Sequence, residues 1–166
     1  EALGPAHDRL ITQAPDVVLF EGWCVGTPPQ DPAALATPIN ELERLEDPTG
    51  AWRQYVNTQL AGPYAEWFAL LDALVYLQVP GWEQVRQWRG QQERETAARN
   101  QGRSALLDES LRERFMQHYQ RLTNQALETL PSKADATLRI SLDHSIVAAR
   151  YKGALTTRSR PVFFAR

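Results

Sequence analysis

The sequence predicts an α/β domain, a parallel sheet flanked by several long helices. Three observations carry this expectation. Val17–Phe20 (VVLF) and Leu74–Leu77 (LVYL) are short, continuous, β-favouring apolar runs of the kind buried in parallel sheets. Residues 136–142, ATLRISL, alternate as a third strand. Stretches with helical periodicity lie between these runs, and a strand–helix–strand–helix–strand order favours a layered α/β arrangement.

Each element has a local cause. Residues 16–21 read as a buried strand ending on Glu21-Gly22. A loop is expected over 22–38, punctuated by Gly22, Gly26, Pro28, Pro29, Pro32 and Pro38. In 39–47, Ile39, Leu42 and Leu45 recur at helical spacing, with Asn40 or Thr37 as cap and Asp47-Pro48 as stop. Residues 50–61 place Trp52, Tyr55, Val56 and Leu60 on one helical stripe. Gly62-Pro63 breaks that helix, and Pro63 can start the next, PYAEWFALL. The second strand, 72–80, stops at Pro80.

Residues 82–99 form a long helix interrupted by Gly90 and ended by Asn100-Gln101-Gly102. Asp108 opens another, whose core face is Leu111, Phe115, Tyr119, Leu122 and Leu127, and Pro131 closes it. Residues 145–150 are a short hairpin partner for the third strand. Residues 151–166 form a basic tail with little pattern beyond Val162-Phe163-Phe164.

Composition narrows the function classes. With 166 residues, 43% apolar and 23% charged, the chain is one domain's worth of ordinary globular sequence. Cys24 is the one cysteine, so no intrachain disulfide forms, which suits a reducing cytoplasm. No apolar run approaches the roughly 20 residues that span a bilayer, so no membrane role is expected. The last 17 residues carry Arg150, Lys152, Arg158, Arg160 and Arg166 and no acid. Without interleaved aromatics, and with a sequence pI of about 6.0, this tail does not point to nucleic acid.

The chemistry starts at Glu21. Ligands of open α/β sheets bind at the carboxyl ends of strands. An acid there can reach a magnesium ion on a bound nucleotide, and a following glycine lets the chain turn away. The bland alternative is a solvated acid. Cys24 reads as a small buried residue, since His7, His118 and His144 are dispersed and offer no partner base. No CxxC or HExxH is present, so no metal-ligand motif stands out. Trp52, Trp67, Trp82 and Trp88 sit beside other apolar residues and read as core or lid packing.

Several long words bear a resemblance together. DVVLFEGWCVG, INELERLED with GAWRQYVNTQLAGPY, LVYLQVPGWEQVRQWRGQQE, FMQHYQRLT and LRISLDHSIVAAR occur in this order over residues 15–150. They resemble the D-glycerate 3-kinases of bacteria and plants, in the uridine kinase and phosphoribulokinase branch of P-loop kinases. The resemblance implies ATP and Mg²⁺ as cofactors, a small hydroxy acid as acceptor and a partial P-loop-type parallel sheet. It implies that Glu21 coordinates magnesium or its water and that Arg89 stabilises the transferring phosphoryl group. Arg86, Arg94 and the Asp143-His144 turn would sit near the nucleotide, with Arg99 and Arg103 as further lid residues. Trp23, Cys24 and Gly26 would lie by the acceptor. For each arginine the alternative is a helix-surface residue paired with Glu93 or Glu95, and Asn40, Glu41 and Arg44 read as a solvated helix face.

The chain also departs from that family. No GxxxxGK[ST] loop occurs in the 166 residues, nor the family's acidic segment that activates the acceptor. The expectation is therefore that residues 1–150 are the carboxyl-terminal portion of a kinase domain, inactive or weakly active alone. A second expectation of a different class stands beside it: a non-catalytic helical interaction module on a kinase-derived scaffold.

Overall fold

The computed structural model describes residues 13–100 and 108–153. A 3₁₀ turn, Pro32–Leu35, precedes three helices: α1 (Glu41–Glu46), α2 (Ala51–Ala61) and α3 (Pro63–Phe68). Strand β1 (Val75–Gln78) leads into α4 (Trp82–Arg99), and α5 (Glu109–Lys133) leads into β2 (Ala136–Ile140) and β3 (Ile146–Tyr151). The protein is thus a mixed α/β domain.

The three strands form one mixed sheet in the order β1-β2-β3. β1 runs parallel to β2, with Val75 opposite Ala136 and Gln78 opposite Arg139. β3 returns antiparallel to β2, the hairpin expected of residues 145–150, so the sheet is mixed where a parallel one was expected. The reason is connection length. The five-residue link 141–145 can only fold a hairpin, whereas α4 and α5 supply the long crossover that parallel pairing needs. Asp135 fastens one end of the sheet. Its carboxylate accepts the Leu74 N–H at 2.8 Å, and its carbonyl accepts the Lys152 N–H at 2.8 Å.

Helix boundaries follow their caps. Asn40 accepts the Glu43 N–H at 2.9 Å, and Asp108 accepts the Leu111 N–H at 3.0 Å. Gly90 does not interrupt α4, which is continuous through it. Pro131 does not close α5 either: the helix runs on to Lys133, because a proline so near the end removes one bond from a turn already close to finishing.

Two larger corrections concern what is buried. Residues 16–21 form no strand, and Val17, Val18 and Leu19 are 76%, 77% and 84% exposed. Among the described residues no strand pairs with this run, so no sheet covers it, and Phe20 packs instead on the Trp67 ring at 4.8 Å. Most of the apolar stripe residues of the first two helices are also exposed, Leu60 being buried and Leu42 half-buried. Ile39, Leu45, Trp52 and Tyr55 are exposed, as is Trp67 on α3, while Glu43 and Arg53 are buried. The core lies instead where α5 packs, on Met116, Ala126 and Leu130, joined by Leu35, Leu60 and Ala97.

Candidate functional site

The elements around Glu43 build an ion cluster. Arg121, on α5, sends Nε to Glu43 Oε1 at 2.7 Å and Nη2 to Oε2 at 2.6 Å. Its remaining donors reach Gln30 Oε1 and the carbonyls of Ala34 and Thr37. Arg53, on α2, donates to the carbonyls of Leu35 and Asp47 and lies 3.4 Å from the Asp47 carboxylate. Burial alone would raise the Glu43 carboxyl. The hydrogen bonds from Arg121 and the Ile39 N–H, with the charges of Arg121 and Arg53, outweigh that and hold it below the usual carboxylate range. All five donors of Arg121 end on protein, so the cluster fastens the 28–40 loop and α1 to α5, with Arg53 tying in α2.

The second arrangement is a polar cleft of about 470 Å³ between α4 and α5. Arg86 and Arg94 line it from α4, Arg112 and Glu113 from α5, and Leu142 from the β2–β3 turn. Arg86 is claimed by two acids, Glu113 at 2.5 Å and Glu83 at 2.7 Å. Arg94 takes part in no ion pair among the described residues. Trp88, also in the lining, packs on His144 with ring centroids 4.4 Å apart, so the turn is held against this end of α4. His144 has a left-handed φ of 67°, which lets Ser141 and Ser145 close the turn. Asp143 accepts from the Ser141 and Ser145 hydroxyls, and these bonds draw its carboxyl down to about 2.

Arg89 stands apart from the cleft. It pairs with the buried Glu93 one turn on, donates to Gln92 at 3.0 Å, and lies 5.3 Å over the Phe115 ring. Its Nε has no hydrogen-bond partner among the described residues.

Glu21, Trp23, Cys24 and Gly26 do not line the polar cleft. Glu21 is exposed on irregular backbone. Trp23 stacks on Tyr119 at 4.8 Å and donates Nε1–H to Thr123 Oγ1 at 2.9 Å, which docks the 23–26 turn on α5. Gly26 has φ 78° and a Cβ there would meet Leu74 Cδ2 at 2.7 Å, so both the turn and the packing require glycine. Cys24 lines a separate apolar cavity of about 380 Å³ walled by Phe20, Tyr55, Tyr64 and Trp67. Burial pushes its thiol up to about 11, the opposite of an activated nucleophile. Arg103 lies outside the described residues.

No cluster of three or more His, Cys, Asp or Glu residues able to hold a metal occurs among the described residues. Nor does any helix among the described residues have the length and apolarity to cross a membrane. Comparison with protein-family models, curated proteins and solved structures finds no match.

Sequence reasoning missed Arg112, Glu113, Arg121 and Glu43. Arg121 carried no signal that apolar periodicity registers, and its partner, 78 residues away, carried none.

Proposed function

We propose that this chain carries the lid side of an ATP-dependent kinase for a small hydroxy acid, D-glycerate being the acceptor that its sequence words favour. It acts with a phosphate-cradling loop supplied by other sequence, since none lies in the 166 residues. One observation carries the reading. Arg86 and Arg94, assigned to the nucleotide by resemblance alone, line one cleft together with the turn that holds Asp143. Phosphoryl transfer depends on positioning and on cations aimed at charge spreading over the moving group. A cleft with guanidinium groups from two helices is suited to that task. Magnesium enters this reading only as Mg·ATP, bound largely through the phosphates.

The test is ATP-dependent conversion of D-glycerate to a phosphoglycerate by the product of the complete reading frame. Arg94→Gln should lower kcat/KM by ten-fold or more, the scale of one lost charge contact at about 1.4 kcal/mol per decade. The 166-residue chain assayed alone should turn over little. Absence of transfer to D-glycerate and to other small hydroxy acids would overturn the reading.

A non-catalytic interaction module is the second reading. The exposure of Val17–Leu19, of Val75 and Leu77 on β1, and of Ile146 and Val147 on β3 favours it. Association of the chain with a partner, without turnover by the complete product, would select it.

A further inference from the structure

Side chains alternate between the faces of a strand, and residues opposite one another across a ladder share a face. The register therefore gathers Val75 and Leu77 of β1, Ala136 and Leu138 of β2, and Ala149 and Tyr151 of β3 on one face. None of the six is charged. The opposite face carries Tyr76, Thr137 and Arg139, and its middle is covered. Thr137 is buried, and burial pushes the Tyr76 phenol up to about 12. A sheet with one wet face ordinarily buries its apolar side and shows water its polar side. Here the two are interchanged. Val75, Leu77 and Tyr151 are 49%, 57% and 55% exposed, and Ala149 is exposed between them. Among the described residues this apolar face has no covering layer.

The size of the face decides what fits it. Three strands and a five-residue central strand make a face of about 15 Å by 17 Å, or roughly 240 Å² in plan. A stable interface between two protein copies buries about 800 Å² on each, so this face is too small to hold a second copy by itself. It suits a short apolar segment. Two phenylalanine rings, at about 150–250 Å² each, are enough to cover it.

The chain carries such a segment within reach. Residues 154–166 continue from β3 and contain Val162-Phe163-Phe164, residue types that fit a pleated apolar surface. The residues between Tyr151 and Val162 span on the order of 30 Å when extended. The distance from β3 across to β1 is only about 10 Å. Arg158 and Arg160 before the triplet and Arg166 after it keep charge to either side, so the uncharged face meets the apolar residues alone.

We propose that Val162-Phe163-Phe164 folds back over the face of Val75, Leu77 and Tyr151 and closes it as a strap. The strap is independent of the kinase reading. It gives the basic tail a role: the surface that would draw a partner is held shut by the chain itself, and a partner must displace the tail.

The test uses the full 166-residue chain. The photo-crosslinker benzoylphenylalanine replaces Phe163, and the irradiated protein is digested and read by mass spectrometry. The expected result is a link within one chain, to the peptide holding Val75 and Leu77 or to that holding Ala149 and Tyr151. Separately, Phe163→Ser combined with Phe164→Ser should raise the binding of anilinonaphthalene sulfonate several-fold. It should also lower the melting temperature by on the order of 5 °C, since both rings lose their cover. Arg158→Gln combined with Arg160→Gln should change neither quantity.

A link formed only between two chains overturns the strap in favour of a second copy. A link to any other part of the chain, or no link, overturns it as well. Dye binding and melting that stay unchanged in the serine variant also overturn it.

Discussion

The guanidinium of Arg121 forks onto the carboxylate of Glu43, at 2.7 and 2.6 Å, across 78 residues of sequence. Both side chains are about nine-tenths buried. Removing one partner of such a pair strands the other charge without water. Glu43→Gln should therefore destabilise the chain by about 3–5 kcal/mol. Glu41→Gln, which breaks the exposed Glu41–Arg44 pair, should cost less than about 1 kcal/mol. Urea unfolding of the two variants measures the contrast, and equal effects would refute it.

The same pair sets an acid limit. The folded Glu43 carboxyl titrates below its ordinary value of about 4.3. The unfolded chain therefore binds the proton more readily, and the stabilisation is fully present above about pH 4.3 and is lost as pH falls through the lower folded value. Melting temperature followed from neutral pH down to pH 3 should fall more steeply for the parent chain than for Glu43→Gln, whose side chain cannot titrate.

Trp23 docks its turn by a ring stack and one hydrogen bond. Trp23→Phe keeps the stack and leaves the Thr123 hydroxyl with its bond to the Tyr119 carbonyl. The expected loss is about 0.5–1.5 kcal/mol. Trp23→Ala, which removes the ring as well, should cost more. If the two variants melt alike, the stack contributes nothing.

Cys24 should be a slow nucleophile. With its thiol raised to about 11, little thiolate exists at neutral pH. Alkylation by iodoacetamide should lag well behind a free cysteine, and its rate should keep climbing above pH 8.5, where a free thiol of pKa about 8.5 levels off. A rate equal to that of free cysteine at pH 7.5 would contradict the burial.

Local signals were the legible part of this fold. Asn40 and Asp108 announced helix starts, and α4 occupies residues 82–99, the span read as a long helix, though without the break expected at Gly90. Pairing between distant residues was not legible. Apolar spacing assigned Leu45 and Tyr55 to the core, but Arg121 draws Glu43 inward and turns those stripes to solvent. An arginine that satisfies five donors inside the protein outweighs a leucine's preference, and periodicity contains no term for it. The candidate site divides the same way. Arg86 and Arg94 could be named because both lie on one helix within one recognisable word, whereas Arg112 enters only through the packing of α5 on α4. Val17–Phe20 had the composition of a buried strand, yet a strand also needs a neighbour, and the run alone does not say where that neighbour is.

The parallel pairing of β1 with β2 has a consequence for the order in which the chain folds. The Leu74 and Asp135 groups that fasten it stand 61 residues apart. Closing so long a loop is entropically expensive, and local contacts form first. The β2–β3 hairpin, joined by a five-residue turn, and the helices α4 and α5 should assemble early, with β1 arriving last. On a ribosome that order is enforced, since β1 emerges well before its partner exists. It must wait through the synthesis of both long helices with Val75 and Leu77 uncovered, and in that interval the nascent chain is most open to a chaperone or to a wrong partner.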